Sequence, residues 1–235
     1  MEAFVVDLDS SKNQIMLKPI ARYSFHNQTH QVSEVAEKIH ELIKNAPYSN
    51  DNIVLKRNEI KEAFFSPFKP QLKTAQVFLS HSHADRNKAL EVKNYLENQT
   101  KRKVFIDSLF WDYKDDVLNK LAEYDDISGI EDVFTLILRE SLECMIKKCP
   151  YFVFLQSKNS VSLNQDLLKI TYSAWIYEEL KIANTLIADT TIKESHIKAM
   201  RVSYDVTNLL RRFKPISLDS LCKKIAFNLI TKDAK

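Results

Sequence analysis

From Gln76 to Trp111 the chain passes from an apolar run through an amphipathic segment to a second apolar run, an order that predicts strand, helix, strand. Val77, Phe78 and Leu79 form a β-rich run without polar alternation, the pattern of a strand covered on both faces. Ser80, His81, Ser82 and His83 follow at its carboxyl end. Asp85 then opens a helix on which Ala89, Val92 and Leu96 recur at i, i+3 and i+7, with lysine, glutamate and asparagine on the other side. Val104 to Ile106 repeats the strand pattern, and Asp107 marks its carboxyl end. Strands joined through a helix run parallel, and open α/β sheets bind ligands outside the carboxyl ends of their strands. Both polar clusters therefore stand where function is expected.

The same periodicities extend in both directions. Tyr151 to Leu155 reads as the next buried strand, and Gln156, Ser157, Lys158 and Asn159 form a third polar cluster at its carboxyl end. Between Leu167 and Ile187 a helical wheel puts Ile176, Leu180, Ala183 and Ile187 in one narrow arc. Trp175 and Glu179 flank that arc, while Glu178 and Lys181 point toward solvent. A glutamate on the shoulder of the core, one turn from a tryptophan and near three polar strand ends, is placed to meet a ligand; the plainer reading is an ordinary helix-surface acid. Val133 to Lys148 predicts a helix with Ile137, Ser141, Cys144 and Met145 along one stripe. Arg201 to Val206 reads as a strand and Leu218 to Ile230 as a closing helix with Leu221, Ile225 and Leu229 in register.

Before residue 75 the pattern is weaker. AFVVDL and QIMLKPI, separated by DSSKN, predict a β-hairpin within Glu2 to Phe25. Ser33 suits the N-cap of a helix reaching Asn45, and Asn58 to Phe65 a second, shorter one. The stretch from Asp112 to Asp132 reads as an acidic, irregular insertion with one short helix. These patterns predict a domain over residues 74–235, preceded by a small α+β extension of unknown role over residues 1–73.

Composition narrows the chemistry. The chain has a single glycine, Gly129, where average usage of about 7% would supply around sixteen. Neither the dinucleotide fingerprint nor the P-loop can be written without several glycines, which excludes a conventional NAD dehydrogenase and a Walker-type NTPase. Any nucleotide must be held by side chains and helix ends. A net charge of +3, from 34 basic against 31 acidic residues, is too mild to argue for nucleic acid or a membrane. No signal-peptide pattern or long apolar run stands out, so a cytoplasmic location is expected. Cys144, Cys149 and Cys222 lack zinc or CxxC spacing and read as reduced, structural thiols; His26, His30 and His40 are scattered, and no metal site is expected.

Three phrases taken together resemble the Toll/interleukin receptor (TIR) domain in its bacterial branch. They are VFLSHSHAD (Val77 to Asp85), VFID (Val104 to Asp107) and WIYEEL (Trp175 to Leu180), in the family's order and spanning roughly residues 75–220. The resemblance implies a flavodoxin-like, three-layer α/β fold with a mostly parallel sheet of about five strands. It further implies an NAD glycohydrolase or ADP-ribosyl cyclase that breaks the nicotinamide–ribose bond, in bacterial anti-phage defence or toxicity. Glu179 then takes the catalytic position, and Phe78, Ser80, His81, Ser82, Asp107, Trp111 and Trp175 the substrate-binding ones, with NAD as substrate and no cofactor. For Ser80, His81 and Ser82 strand-end hydrogen bonding is an equal alternative, for Trp175 a core aromatic, and for Asp107 a cap on the strand's exit. The family commonly carries a glycine in the loop after its second strand, and this chain has none until Gly129. The implied partners are a second copy of the chain when active and a downstream effector that senses the product. Two other readings stand beside this one: a catalytically silent adaptor acting by self-association, and a hydrolase or transferase for another nucleotide or nucleoside.

Overall fold

Five short runs rich in β-branched and aromatic residues line up as one parallel sheet. In the computed structural model, which describes residues 1–17, 26–46, 48–49, 52–53, 56–66, 73–106, 108–124, 128–163, 168–187 and 203–230, these are β1 (Glu2–Asp7), β2 (Ala75–Ser80), β3 (Lys103–Ile106), β4 (Tyr151–Gln156) and β5 (Lys214–Pro215). The longer helices are α1 (His26–Lys44), α2 (Arg57–Phe65), α3 (Arg86–Thr100), α4 (Ser108–Leu121), α5 (Ser128–Lys148), α6 (Ala174–Ile187) and α7 (Leu218–Ile230). Ser162–Leu163, Lys169–Thr171 and Tyr204–Asp205 pair antiparallel in a small separate sheet, and Tyr48–Ser49 pairs with Asn52–Ile53.

The chain forms two compact units. One combines Met1–Ile20, Ala75–Asp107 and Glu143–Lys235; the other combines Ala21–Thr74 and Ser108–Leu142. In the first, the strand order is β5-β1-β4-β2-β3 with every pairing parallel. Taken from the other edge, β3-β2-β4-β1-β5 occupies the five places of the flavodoxin-like order 2-1-3-4-5. The fourth place is filled by the strand nearest the amino terminus. This is an α/β, flavodoxin-like sheet covered on both faces.

That placement corrects two expectations. Among the described residues of the expected hairpin, the first run is β1 and a helical turn, Ser11–Gln14, follows it in place of a second strand, while residues 18–25 lie outside the described residues. A separate extension ending at residue 73 is likewise not what the contacts give, because β1 pairs with β4 along its whole length, from Glu2 beside Tyr151 to Asp7 beside Gln156. The physical reason is burial. Phe4 and Val6 are 1% and 0% exposed, a condition that a two-stranded ribbon cannot provide.

Alternation sorts the side chains of each strand between two helical layers. Val77 and Leu79 of β2, Phe4 and Val6 of β1 and Val153 and Leu155 of β4 join one buried cluster with Ala89, Val92 and Leu96 of α3 and Leu218, Leu221 and Ile225 of α7. Phe78, pointing the other way, stacks on Phe152 at 5.6 Å with the rings 7° from parallel and meets Phe105 at 5.5 Å; Phe213 meets Phe152 edge-on. On this second face α6 buries Ile176, Leu180 and Ala183, while Ile187, expected in the same arc, is exposed at the helix end. Glycine is scarce enough that α3 ends on Lys101 in the left-handed conformation (φ 57°), a place glycine usually takes.

The second unit is helical around Phe64, which packs against Phe65, Tyr113 and Phe134 at 5.0, 5.2 and 4.8 Å. The expected irregular insertion from Asp112 to Asp132 is largely α4 and the start of α5, with residues 125–127 outside the described residues. Tyr113, Val117, Leu118 and Leu121 form a buried stripe that the intervening acids and lysines had hidden from a composition reading. Cys144 leaves the predicted stripe of α5 and is exposed, whereas Ile137, Ser141 and Met145 are buried.

Deleting residues 1–7 removes an interior strand and uncovers β4. The expected outcome is loss of cooperative thermal unfolding by circular dichroism; a truncated chain that melts like the intact one would show that β1 is dispensable.

Candidate functional site

The parallel arrangement gathers the carboxyl ends of the strands on one edge, and the polar residues of the first unit concentrate there. Ser80 is the last residue of β2 and lies on the face that also carries Phe78, so its hydroxyl points toward α6. There the Ser80 Oγ donates a hydrogen bond to Glu179 Oε2 at 2.5 Å, and both residues are 0% exposed. The wheel expected Glu179 on the shoulder of the buried arc. In the structure it lies within it, between Ile176 and Leu180. Glu178 is half-buried, and the two adjacent acids are separated as the periodicity required.

A second buried carboxylate joins the loops that follow β2 and β4. Asp85 precedes α3 and is 3% exposed; its side chain makes no cap for that helix. The Ser157 hydroxyl donates to Asp85 Oδ2, and Asn159 Nδ2 donates to Oδ1 at 2.8 Å. Asn159 N–H reaches Ser157 Oγ at 3.0 Å, and Ser157 N–H reaches Ser160 Oγ at 2.8 Å, so the turn after β4 is itself held rigid. β2 leads onward to β3 on one side, and β4 leads to β5 on the other. The crevice between β2 and β4 is thus the switch point where such sheets take ligands, and Asp85 ties its two lips together.

The remaining predicted site residues divide sharply. Phe78 is fully buried in the aromatic stack with Phe105 and Phe152, and packing is its role; this corrects its assignment to substrate binding. His81 is buried at 4% directly after Ser80, Ser82 is half-buried, and Trp175 is half-buried one turn before Glu179 on α6. Asp107 lies outside the described residues, as does the side chain of Trp111, whose backbone belongs to α4 in the second unit. The structure thus brings together Ser80 and Glu179, with His81, Ser82 and Trp175 on the segments that carry them.

Two contributors escape a reading by pattern. Asp85 reads as a helix opener, yet its carboxylate serves a loop more than seventy positions away. Asn184 interrupts the apolar arc of α6, which is the signal that could have found it. It is 0% exposed, and its Nδ2 donates to the carbonyls of Leu180 and Leu209, both at 3.0 Å, pinning α6 to the helical turn Thr207–Leu210.

The two buried thiols offer no nucleophile. Burial pushes the Cys149 thiol up to about 12 and the Cys222 thiol up to about 11, the latter helped by the negative charge of Asp219. Nearly all of each therefore remains protonated near neutral pH. Among the described residues no group of three His, Cys, Asp or Glu side chains could hold a metal ion, and no helix is long and apolar enough to cross a membrane. Fold and site define an α/β protein with a carboxylate buried at the carboxyl edge of its parallel sheet. Compared with known proteins, the chain matches no family, no curated protein and no solved structure.

Asp85→Ala removes the acceptor for Ser157 and Asn159, and a loss of about 1–3 kcal/mol in urea unfolding is expected from the polar groups left buried; an unchanged midpoint would show that the loops hold without it. Titration of the native protein with a thiol reagent at pH 8 should modify Cys144 promptly and Cys149 and Cys222 only on unfolding. Rapid reaction of all three thiols in folded protein would contradict their burial.

Proposed function

We propose that this protein cleaves the bond between nicotinamide and ribose in NAD, as a glycohydrolase or ADP-ribosyl cyclase, with Glu179 as the catalytic carboxylate. The observation that carries the reading is the hydrogen bond from Ser80 Oγ to Glu179 Oε2, which fixes a carboxylate at the carboxyl edge of the sheet. The likeness of VFLSHSHAD, VFID and WIYEEL to TIR-domain phrases supports it. Nicotinamide leaves as a neutral molecule from a cationic precursor, so the step needs no general acid. It needs a group that stabilises an oxocarbenium-like ribose. One carboxylate can accept hydrogen bonds from the ribose hydroxyls and oppose the developing positive charge. Trp175, on the same helix, can stack on the pyridinium, a contact worth roughly 0.5–2 kcal/mol.

Complete burial sets a condition on this chemistry. A substrate reaches Glu179 only when the residues around it move, so the isolated chain is a resting form. Contact with a second copy of the chain is the proposed source of that movement, and a cytoplasmic role in bacterial anti-phage defence, with an effector that senses the product, follows from the same reading. Burial at 0% also favours a second reading, in which the Ser80–Glu179 pair holds α6 to the sheet and the protein is a silent adaptor.

Both readings meet in one assay: nicotinamide release from NAD, measured across a wide range of protein concentration. Activity per molecule should rise with concentration. Glu179→Gln should lower it by at least about a hundredfold, the scale of losing a catalytic carboxylate, while Glu178→Gln leaves it nearly unchanged. Equal activity of the two variants would remove Glu179 from the chemistry, and no release at any concentration would favour the adaptor.

A further inference from the structure

The carboxyl ends of β4, β1 and β5 frame a concavity of about 410 Å³ in the first unit, lined by residues other than Ser80 and Glu179. Val5, Pro215 and Ile216 give it an apolar side, and Lys12 and Lys169 are its two cationic lining residues. Lys12 stands on the turn Ser11–Gln14 and Lys169 on the strand Lys169–Thr171, so separate elements deliver the two charges to one place. Neither lysine has an ion-pair partner among the described residues, although other lysines there are paired, such as Lys88 with Asp9 and Lys224 with Glu2. The one lining acid, Asp7, already accepts the N–H of Asp9 at Oδ1.

The framework of this concavity is rigid. Asn13, 3% exposed, donates from Nδ2 to the carbonyl of Asp7 at 2.7 Å and accepts the N–H of Leu218 at Oδ1 at 3.0 Å. That residue fastens the end of β1 to the start of α7, and Ser217, which precedes the thirteen-residue α7, also lines the space. The Leu218 N–H at the start of α7 is taken by Asn13 and the Ser220 N–H by the Ser217 hydroxyl, so the two lysines supply the positive charge of the lining. A net positive lining over an apolar side, at the carboxyl edge of a parallel sheet, suits an anion attached to a compact body.

We propose that this concavity is a second ligand site, separate from Glu179, for a phosphorylated sugar. The phosphate lies between Lys12 and Lys169. The sugar covers Val5 and Ile216, and its hydroxyls donate to Asp7 and Gln156. Lys169 sits in the strand that directly precedes α6, and Leu210, also in the lining, adjoins the Leu209 carbonyl that Asn184 of α6 engages. Occupancy here thus touches the supports of the helix that carries Glu179.

The test is isothermal titration calorimetry of the full chain at low salt with ribose 5-phosphate, ribose and inorganic phosphate as probes. Ribose 5-phosphate should bind, inorganic phosphate more weakly and ribose not at all. The double variant Lys12→Gln, Lys169→Gln should lose about tenfold or more in affinity, or roughly 1.4 kcal/mol. A Lys169→Arg variant should retain binding, and Glu179→Gln should bind like the parent. No heat from ribose 5-phosphate at millimolar concentration, or undiminished affinity in the folded double variant, would overturn the site. Equal affinity for inorganic phosphate would overturn the sugar component, and loss of binding in folded Glu179→Gln would overturn its separateness.

Discussion

Everything in the first unit depends on covering β4 on all sides. Tyr151 to Leu155 is a run of five buried residues, and such a strand is stable only with hydrogen-bonded neighbours on both edges and helices on both faces. β1 and β2 supply the edges, pairing at Phe4 and Leu79 with the same residue, Val153. The cluster with α3 and α7 covers one face, and the aromatic stack and α6 cover the other. Parallel strands in turn require crossing connections, and these bring every loop that follows a strand to one edge.

At that edge the chain must satisfy polar groups that the packing has taken from water. It does so with short side chains. Ser157 and Asn159 serve Asp85, Ser80 serves Glu179, and Asn13 joins β1 to α7. A chain with one glycine cannot wrap its backbone closely around a ligand, so recognition falls to side chains and helix ends. Both proposed sites follow this rule: one rests on a carboxylate under a serine, the other on two lysines from separate elements.

The burial of Glu179 couples stability to the proposed chemistry. A carboxylate withdrawn from water interacts more strongly with charge that develops beside it, because less solvent screens the interaction. The same withdrawal shuts out substrate, so an enzyme built in this way needs a trigger to open it.

Much of the architecture is legible in the sequence. Uninterrupted apolar runs at Val77 and Tyr151 read as strands covered on both faces, and the spacing of Ala89, Val92 and Leu96 as a helix face turned to a core. The separation of Glu178 from Glu179 follows from 3.6 residues per turn, and the scarcity of glycine excludes phosphate loops by itself. What local pattern does not contain is partnership over distance. The run from Ala3 to Val6 looks the same in a hairpin or inside a sheet, and only its pairing with residues about 150 positions away decides between them. The buried stripe of α4 is diluted by aspartate and lysine until a facing helix selects one side of it. Asp85 looks like a helix cap until Ser157 and Asn159 arrive from another loop. Periodicity reports which side of an element is apolar; the hydrogen bonds and packing that give a polar residue its role are made between elements, and only the folded chain brings them together.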